Sequence, residues 1–184
     1  MRHAISLLVL LLASSLVASA QETKHGAYAG EERRGIKSLS AAEVEELLNG
    51  HGMGLAKAAE LNHYPGPRHV LELAAELQLT PRQRAQTQAA FERMRGVAVQ
   101  LGRRIVERER ELDSLFAESK IDAGSLQAAT AEIARLQGAL RAAHLSAHLE
   151  MRRLLSPQQI AKYDELRGYT GRQKSNRQHE HGQH

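Results

Sequence analysis

Proline placement is the feature that most constrains this chain. There are four prolines, and after Pro81 none occurs until Pro157, so nothing in that interval forbids continuous helix. Both prolines sit in the same local grammar. In Leu79-Thr80-Pro81-Arg82-Gln83 the Thr80 hydroxyl can accept an orphan amide of a first helical turn. Pro81 suits the first helical position, and Gln83 can reach back to the cap amide. Leu155-Ser156-Pro157-Gln158-Gln159 repeats the arrangement. Two helix starts therefore bracket the interval, and its apolar pattern decides how it folds.

That pattern has two halves. Phe91, Met94, Ala98, Leu101, Ile105, Arg108, Leu112 and Leu115 step by three and four, a coiled-coil-type seam with one charged member. Leu126, Ala129, Ile133, Leu136, Leu140, Ala143, Ala147 and Met151 repeat it after a turn at Lys120-Ile121-Asp122, where Asp122 is the next cap. One antiparallel register serves both seams. It sets Leu115 opposite Leu126, Leu112 opposite Ala129, Ile105 opposite Leu136, Leu101 opposite Leu140, Ala98 opposite Ala143 and Met94 opposite Ala147. Arg108 then meets Ile133, with Glu132 as its expected ion-pair partner. The fold class expected is all-α: a long antiparallel helical hairpin with short flanking helices.

Upstream, Ser40 and Glu43 form a capping box with Leu39 and Val44 as its staple, and Asn49-Gly50 ends that helix. Leu55 to Leu61 reads as a second short helix. Tyr64-Pro65-Gly66-Pro67 reads as an extended turn, and Pro67 opens a third helix with Val70, Leu71, Ala74 and Leu77 on one face.

Residues 1–20 read as a secretory signal: Arg2, an apolar run from Ile5 to Val17, then Ala18-Ser19-Ala20 as the cleavage site. The run falls short of the roughly 20 residues that span a bilayer, so the expectation is export to the periplasm with no stable membrane anchor. Residues 21–38 form a flexible lead-in, 39–169 the helical domain, and 170–184 a polar, disordered tail. The chain has no cysteine, which excludes disulfides and thiol chemistry. Its formal charge is +4, mostly interspersed, and only 3% of residues are aromatic. With no basic block and few stacking platforms, no nucleic-acid partner is expected. Ser and Asp are sparse and no glycine-rich phosphate loop occurs, so the chain reads as no enzyme and requires no cofactor.

The two cap motifs resemble the paired LTxxQ signatures of the Spy/CpxP family of periplasmic proteins, with Leu79, Thr80 and Gln83 in the first and Leu155, Ser156 and Gln159 in the second. Ser156 replaces the usual threonine. The stretch from Gly52-Met53-Gly54 to Pro65-Gly66-Pro67 resembles relatives described as periplasmic heavy-metal sensors. The resemblance implies a bent hairpin that forms an antiparallel, cradle-like homodimer. It also implies one of three roles. The leading one is an ATP-independent chaperone holding unfolded or misfolded periplasmic proteins. The others are a heavy-metal-responsive sensor or metal-binding protein, and a regulatory partner of a membrane sensor kinase.

Two sets of side chains bear on that choice. Arg93, Arg95, Arg103, Arg104, Arg141 and Arg152, with Met94 and Met151, would line a client-binding surface in a cradle; elsewhere such arginines form a solvated face. His144 and His148, four apart on one helix, can share a metal or simply edge a helix interface, the second being the preferred reading. His51, His63 and His69 lie in the N-terminal loops as further donors, and zinc, copper and nickel are the metals such donors suit. His179, His181 and His184 give the tail weak, unselective metal affinity.

Overall fold

The computed structural model describes residues 26–170, which fall into two units, 26–32 and 33–170. The signal sequence and the histidine tail lie outside the described residues. The first unit is a run of turns, with Ala29 N–H donating to Gly26 O and Gly30 N–H to Glu32 Oε2.

The second unit contains α1 (Ala41–Asn49), α2 (Lys57–Glu60), α3 (Pro67–Glu72), α4 (Pro81–Ala117), α5 (Ala123–Leu154) and α6 (Pro157–Leu166); no strand occurs among the described residues. The expected caps set the starts. Ser40 with Glu43, Thr80 with Gln83, Asp122 with Ser125 and Ser156 with Gln159 each form reciprocal capping boxes. Each satisfies two amides that the first turn leaves orphaned. Gly50 ends α1 in the left-handed region, at φ +66°, where a side chain is disfavoured. The face predicted for the third helix is buried at Val70, Ala74 and Leu77, although regular helix stops at Glu72. Gln78, at φ +50°, lies in the turn that re-aims the chain into α4.

Helices α4 and α5 form the hairpin, with α1 packed on α4, α2 on α5, and α3 against both. Two apolar clusters hold it together. One joins Ile36 and Leu47 to Ala98, Ile105 and Val106 of α4 and to Leu136 and Leu140 of α5. The other joins Val70 and Leu77 to Ala90, Met151, Leu155, Ile160 and Tyr163. Ala90 thus shares a cluster with Met151, while Ile105 shares one with Leu136, which is the antiparallel order of the expected register. Burial of such aliphatic side chains stabilises by about 1.5–3 kcal/mol each.

The seam is not uniform. Leu112, Leu115 and Ala129 are half-buried, and Leu126 at the turn is exposed, so the dry part of the hairpin ends near Ile105 and Ile133. Arg108 does not take Glu132 as expected; it pairs with Glu111 at 2.6 Å. Glu132 instead receives Arg135 at 2.7 Å, one turn along its own helix, and Arg104 at 3.1 Å across the hairpin. A neighbour three residues along the same helix reaches a carboxylate without crossing the seam.

Two close approaches fix the N-terminal segment. Ile36 is buried, and Lys37 donates to Asp113 through both its amide (3.2 Å) and its Nζ (3.0 Å), so residues read as lead-in are docked on α4. At Gly102 the backbone of α1 nearly touches α4: a Cβ there would lie 2.0 Å from Leu47 O.

Candidate functional site

The paired motifs meet in space. Gln83 Oε1 accepts the Thr80 amide at 3.1 Å, and Gln159 Oε1 accepts the Ser156 amide at 2.9 Å. Their Nε2 groups then cross over. Gln83 Nε2 donates to Gln159 Oε1 (2.9 Å) and Leu154 O (3.1 Å), while Gln159 Nε2 donates to Gln83 Oε1 (3.1 Å) and Leu77 O (3.1 Å). The two side-chain amides form a reciprocal clasp between the starts of α4 and α6. Glutamate could cap but has no N–H to donate, which explains the amide at both positions. Sequence reading finds the caps and misses the clasp. The motif residues are therefore structural: Leu79 and Leu155 pack in the second apolar cluster and the polar groups tie three chain segments together.

Beside this clasp, the Tyr64-Pro65-Gly66-Pro67 turn is pressed into the protein, with Pro65, Gly66 and Pro67 buried. A buried loop must have its backbone polar groups met. Gly66 N–H points to Tyr163 Oη at 3.4 Å, and Tyr64 O accepts from His148 Nδ1 at 2.7 Å. Glu60 organises the surroundings. Its Oε1 accepts from Tyr163 Oη at 2.5 Å and Tyr169 Oη at 3.0 Å, and its Oε2 lies 3.6 Å from His148 Nδ1. Burial first, and then the bond to Glu60, push the Tyr163 phenol well above its ordinary value, so it remains a donor. The Arg152 guanidinium lies over the Tyr64 ring, 5.6 Å from its centroid.

These contacts frame one wall of a cleft of about 380 Å³ between α1, α3, α4 and α5. Four of the five candidate histidines line it: His51, His69, His144 and His148. Met94, Phe91, Arg68 and Arg95 complete much of the wall. His63 does not join them; its Nδ1 bonds Asp164 Oδ2 at 2.7 Å on the α6 side.

The ring nitrogens are not equivalent. A carbonyl oxygen only accepts, so the His148 Nδ1 facing Tyr64 O carries a proton, and the lone pair of the neutral ring is on Nε2. His69 Nδ1 donates in the same way to Glu72 Oε2 at 2.7 Å. This is the arrangement in which an oxygen partner orients an imidazole for ligation through its other nitrogen. His144 is 5% exposed, and its Nε2 is sealed from water with no hydrogen-bond partner. Burial, reinforced by the field of His148, depresses the His144 pKa and favours the neutral ring. An orphaned buried nitrogen is costly to leave unmet. The donor chemistry therefore fits a transition-metal ion, although among the described residues no three histidine, aspartate or glutamate side chains already converge on one point.

The heavy-metal-resistance family matches residues 4–162 of the sequence. The chain belongs to that family. The match agrees with the Spy/CpxP resemblance drawn from the two LTxxQ-type motifs, and with the helical hairpin that joins them. No curated protein and no solved structure matches the chain.

Within this family member, the arginines proposed for a client surface are scattered over the hairpin. Arg93 pairs with Glu150 at 2.7 Å and Arg104 with Glu132, while Arg95 Nε lies 3.5 Å from Asn49 O. Arg103 and Arg141 are exposed, and Arg152 is held over Tyr64. Met94 is half-buried and faces the cleft. Met151 cannot belong to a client surface: it is 0% exposed, enclosed by the second apolar cluster. Its seam position already places it inward. Glu60, Tyr163 and Tyr169, the organising polar groups, escape sequence reading because they lie on three different segments and match no spacing rule.

Proposed function

We propose that this heavy-metal-resistance protein is exported and binds a transition-metal ion in the four-histidine cleft, holding or reporting envelope metal without catalysing a reaction. One observation carries the reading: His144 Nε2, buried and unpartnered, in a wall shared with His51, His69 and His148. The chain's own residues do three things there. Tyr64 O and Glu72 hold the Nδ1 protons of His148 and His69, so that both rings can offer Nε2. The packing around His144 keeps its ring dry and favours the neutral state. His51, exposed on the loop after α1, supplies a donor from the open side. A bound ion would receive imidazole ligands polarised by these oxygen partners.

Calorimetric titration of the full chain with zinc, copper and nickel tests this reading. One ion per chain is expected, lost in His144→Ala and retained when His179, His181 and His184 are all replaced by Gln. Binding that vanishes only with the tail histidines would refute it.

A second reading, the holding chaperone, has its own support at the hairpin turn. Phe116 is 55% exposed and Leu126 39% exposed, among mixed charges. An unfolded client could make dispersed apolar contacts there, and a homodimer would enlarge that surface. Suppression of aggregation of a denatured client, lost in a Phe116→Ser, Leu126→Ser double variant, is the outcome it requires.

A further inference from the structure

The cleft wall is unusual for a divalent-cation site. Its lining donors are imidazole nitrogens and the Met94 thioether, while the carboxylates of Glu60 and Glu72 stand behind the lining, at the Nδ1 atoms of His148 and His69. Imidazole suits zinc and nickel as well as copper, so the discriminating donor is the thioether, which soft ions accept and borderline dications do not favour. Two guanidinium groups share the wall. Arg68 is offset by Glu72 at 3.0 Å, but Arg95 pairs with no carboxylate among the described residues and donates only to Asn49 O. Arg95 is exposed, so water screens its charge, and it weighs only weakly against an added dication. Coordination number points the same way. Zinc in a structural site takes four ligands, while no three histidine, aspartate or glutamate groups converge here among the described residues. An ion content with two or three ligands is a better match.

Resting on the metal reading above, we propose that the cleft selects a soft monovalent ion, Cu(I) or Ag(I), over Zn(II) and Ni(II), with Met94 as the residue that sets the preference. Met94 of α4 and His144 of α5 both line the cleft, and Met94, packed at the edge of the first apolar cluster, is its one thioether. Arg95, next along the chain and exposed, adds a weak, water-screened bias against dications.

The test is anaerobic competition of the full chain against a chromophoric Cu(I) chelator, a parallel titration with Ag(I), and calorimetry with Zn(II) and Ni(II). Cu(I) and Ag(I) should bind one per chain and more tightly than either dication. Met94→Leu conserves volume and keeps the fold; it should weaken Cu(I) and Ag(I) by about tenfold or more while leaving Zn(II) unchanged. Arg95→Gln should strengthen Zn(II) binding only slightly and leave Cu(I) nearly unchanged. Tighter binding of Zn(II) or Ni(II), or Cu(I) affinity indifferent to Met94→Leu, overturns the selectivity while sparing the metal reading. Failure of every ion to bind in a His144-dependent manner overturns both. Circular dichroism of each variant separates lost ligation from lost fold.

Discussion

Gly102→Ala places a methyl group where the backbone of α1 already is. The new Cβ would sit 2.0 Å from Leu47 O and 2.7 Å from Leu47 C, against about 3.4 Å for ordinary contact, so α1 must retreat by about 1.4 Å. It has little freedom to do so. Leu47 O already accepts the Gly50 amide, and the Leu47 side chain is buried in the first apolar cluster. Overpacking costs about 1–3 kcal/mol in general, and a struck backbone argues for the upper end. Alanine returns up to about 1 kcal/mol in helix propensity. The net expectation is destabilisation by about 2 kcal/mol, a fall in Tm of about 4–8 °C for a chain of this size. Gly96 and Gly138 are the internal controls: both lie inside the same long helices, and a Cβ at either meets nothing within 4 Å. Alanine at those positions should stabilise by about 0.5–1 kcal/mol. Urea denaturation followed at the helical dichroism band, on metal-free protein, measures all three. A Gly102→Ala protein as stable as the Gly96→Ala and Gly138→Ala proteins would refute the packing of α1 on α4.

The clasp predicts coupling: Gln83→Leu and Gln159→Leu should each cost about 1–3 kcal/mol, and a double-mutant cycle should return an interaction energy of about 0.5 kcal/mol or more, strict additivity being the contrary result. Thr80→Ala and Ser156→Ala remove one cap each and should cost about 0.5–2 kcal/mol in the same assay. For pH, the folded pKa of His144 lies below its ordinary value of 6.5, so unfolding releases a ring that takes up a proton. Its contribution to stability is full above 6.5 and lost as pH falls towards the depressed folded value. The metal-free protein should therefore weaken as pH falls below about 6.5, with a shallower slope in His144→Gln. Gly66→Ala sets a Cβ 2.9 Å from His148 Cε1 and 3.1 Å from its Nε2, and should turn the ring off Tyr64 O, which a histidine NMR spectrum would report; an unshifted His148 signal would count against the contact.

What was legible in the sequence follows the range of the interaction concerned. Caps are local, so Ser40, Thr80 and Ser156 announce themselves through a partner three residues on and Asp122 through the turn it closes, and each is found as a reciprocal box. The seams are nearly as readable, because a helix repeats its inward face every three or four residues. Arg108 shows where this stops: its seam position is plain, but the choice between Glu111 and Glu132 depends on reach between side chains. The cleft is further from reach. His144 and His148 declare themselves as a pair, whereas their meeting with His51 and His69 depends on how α1 and α3 dock on the hairpin. No periodicity encodes that docking. Glu60 and Tyr163 are separated by a hundred residues of chain, and only the folded packing makes one the acceptor of the other.

The glutamine clasp has a kinetic side as well. The turn between α4 and α5 brings chain neighbours together with almost no loop to close, so pairing can zip outward from it. The clasp joins groups 71 and 76 residues apart, and closing such a loop directly would cost on the order of 4 kcal/mol in chain entropy. Made last, after zippering has delivered both ends, it adds almost nothing to that cost. Its bonds are then absent from the folding transition state, so substituting Gln83 or Gln159 should hasten unfolding while leaving the folding rate nearly untouched. The motif pair in this role is a latch: it governs how long the open end of the hairpin stays shut rather than how quickly it closes.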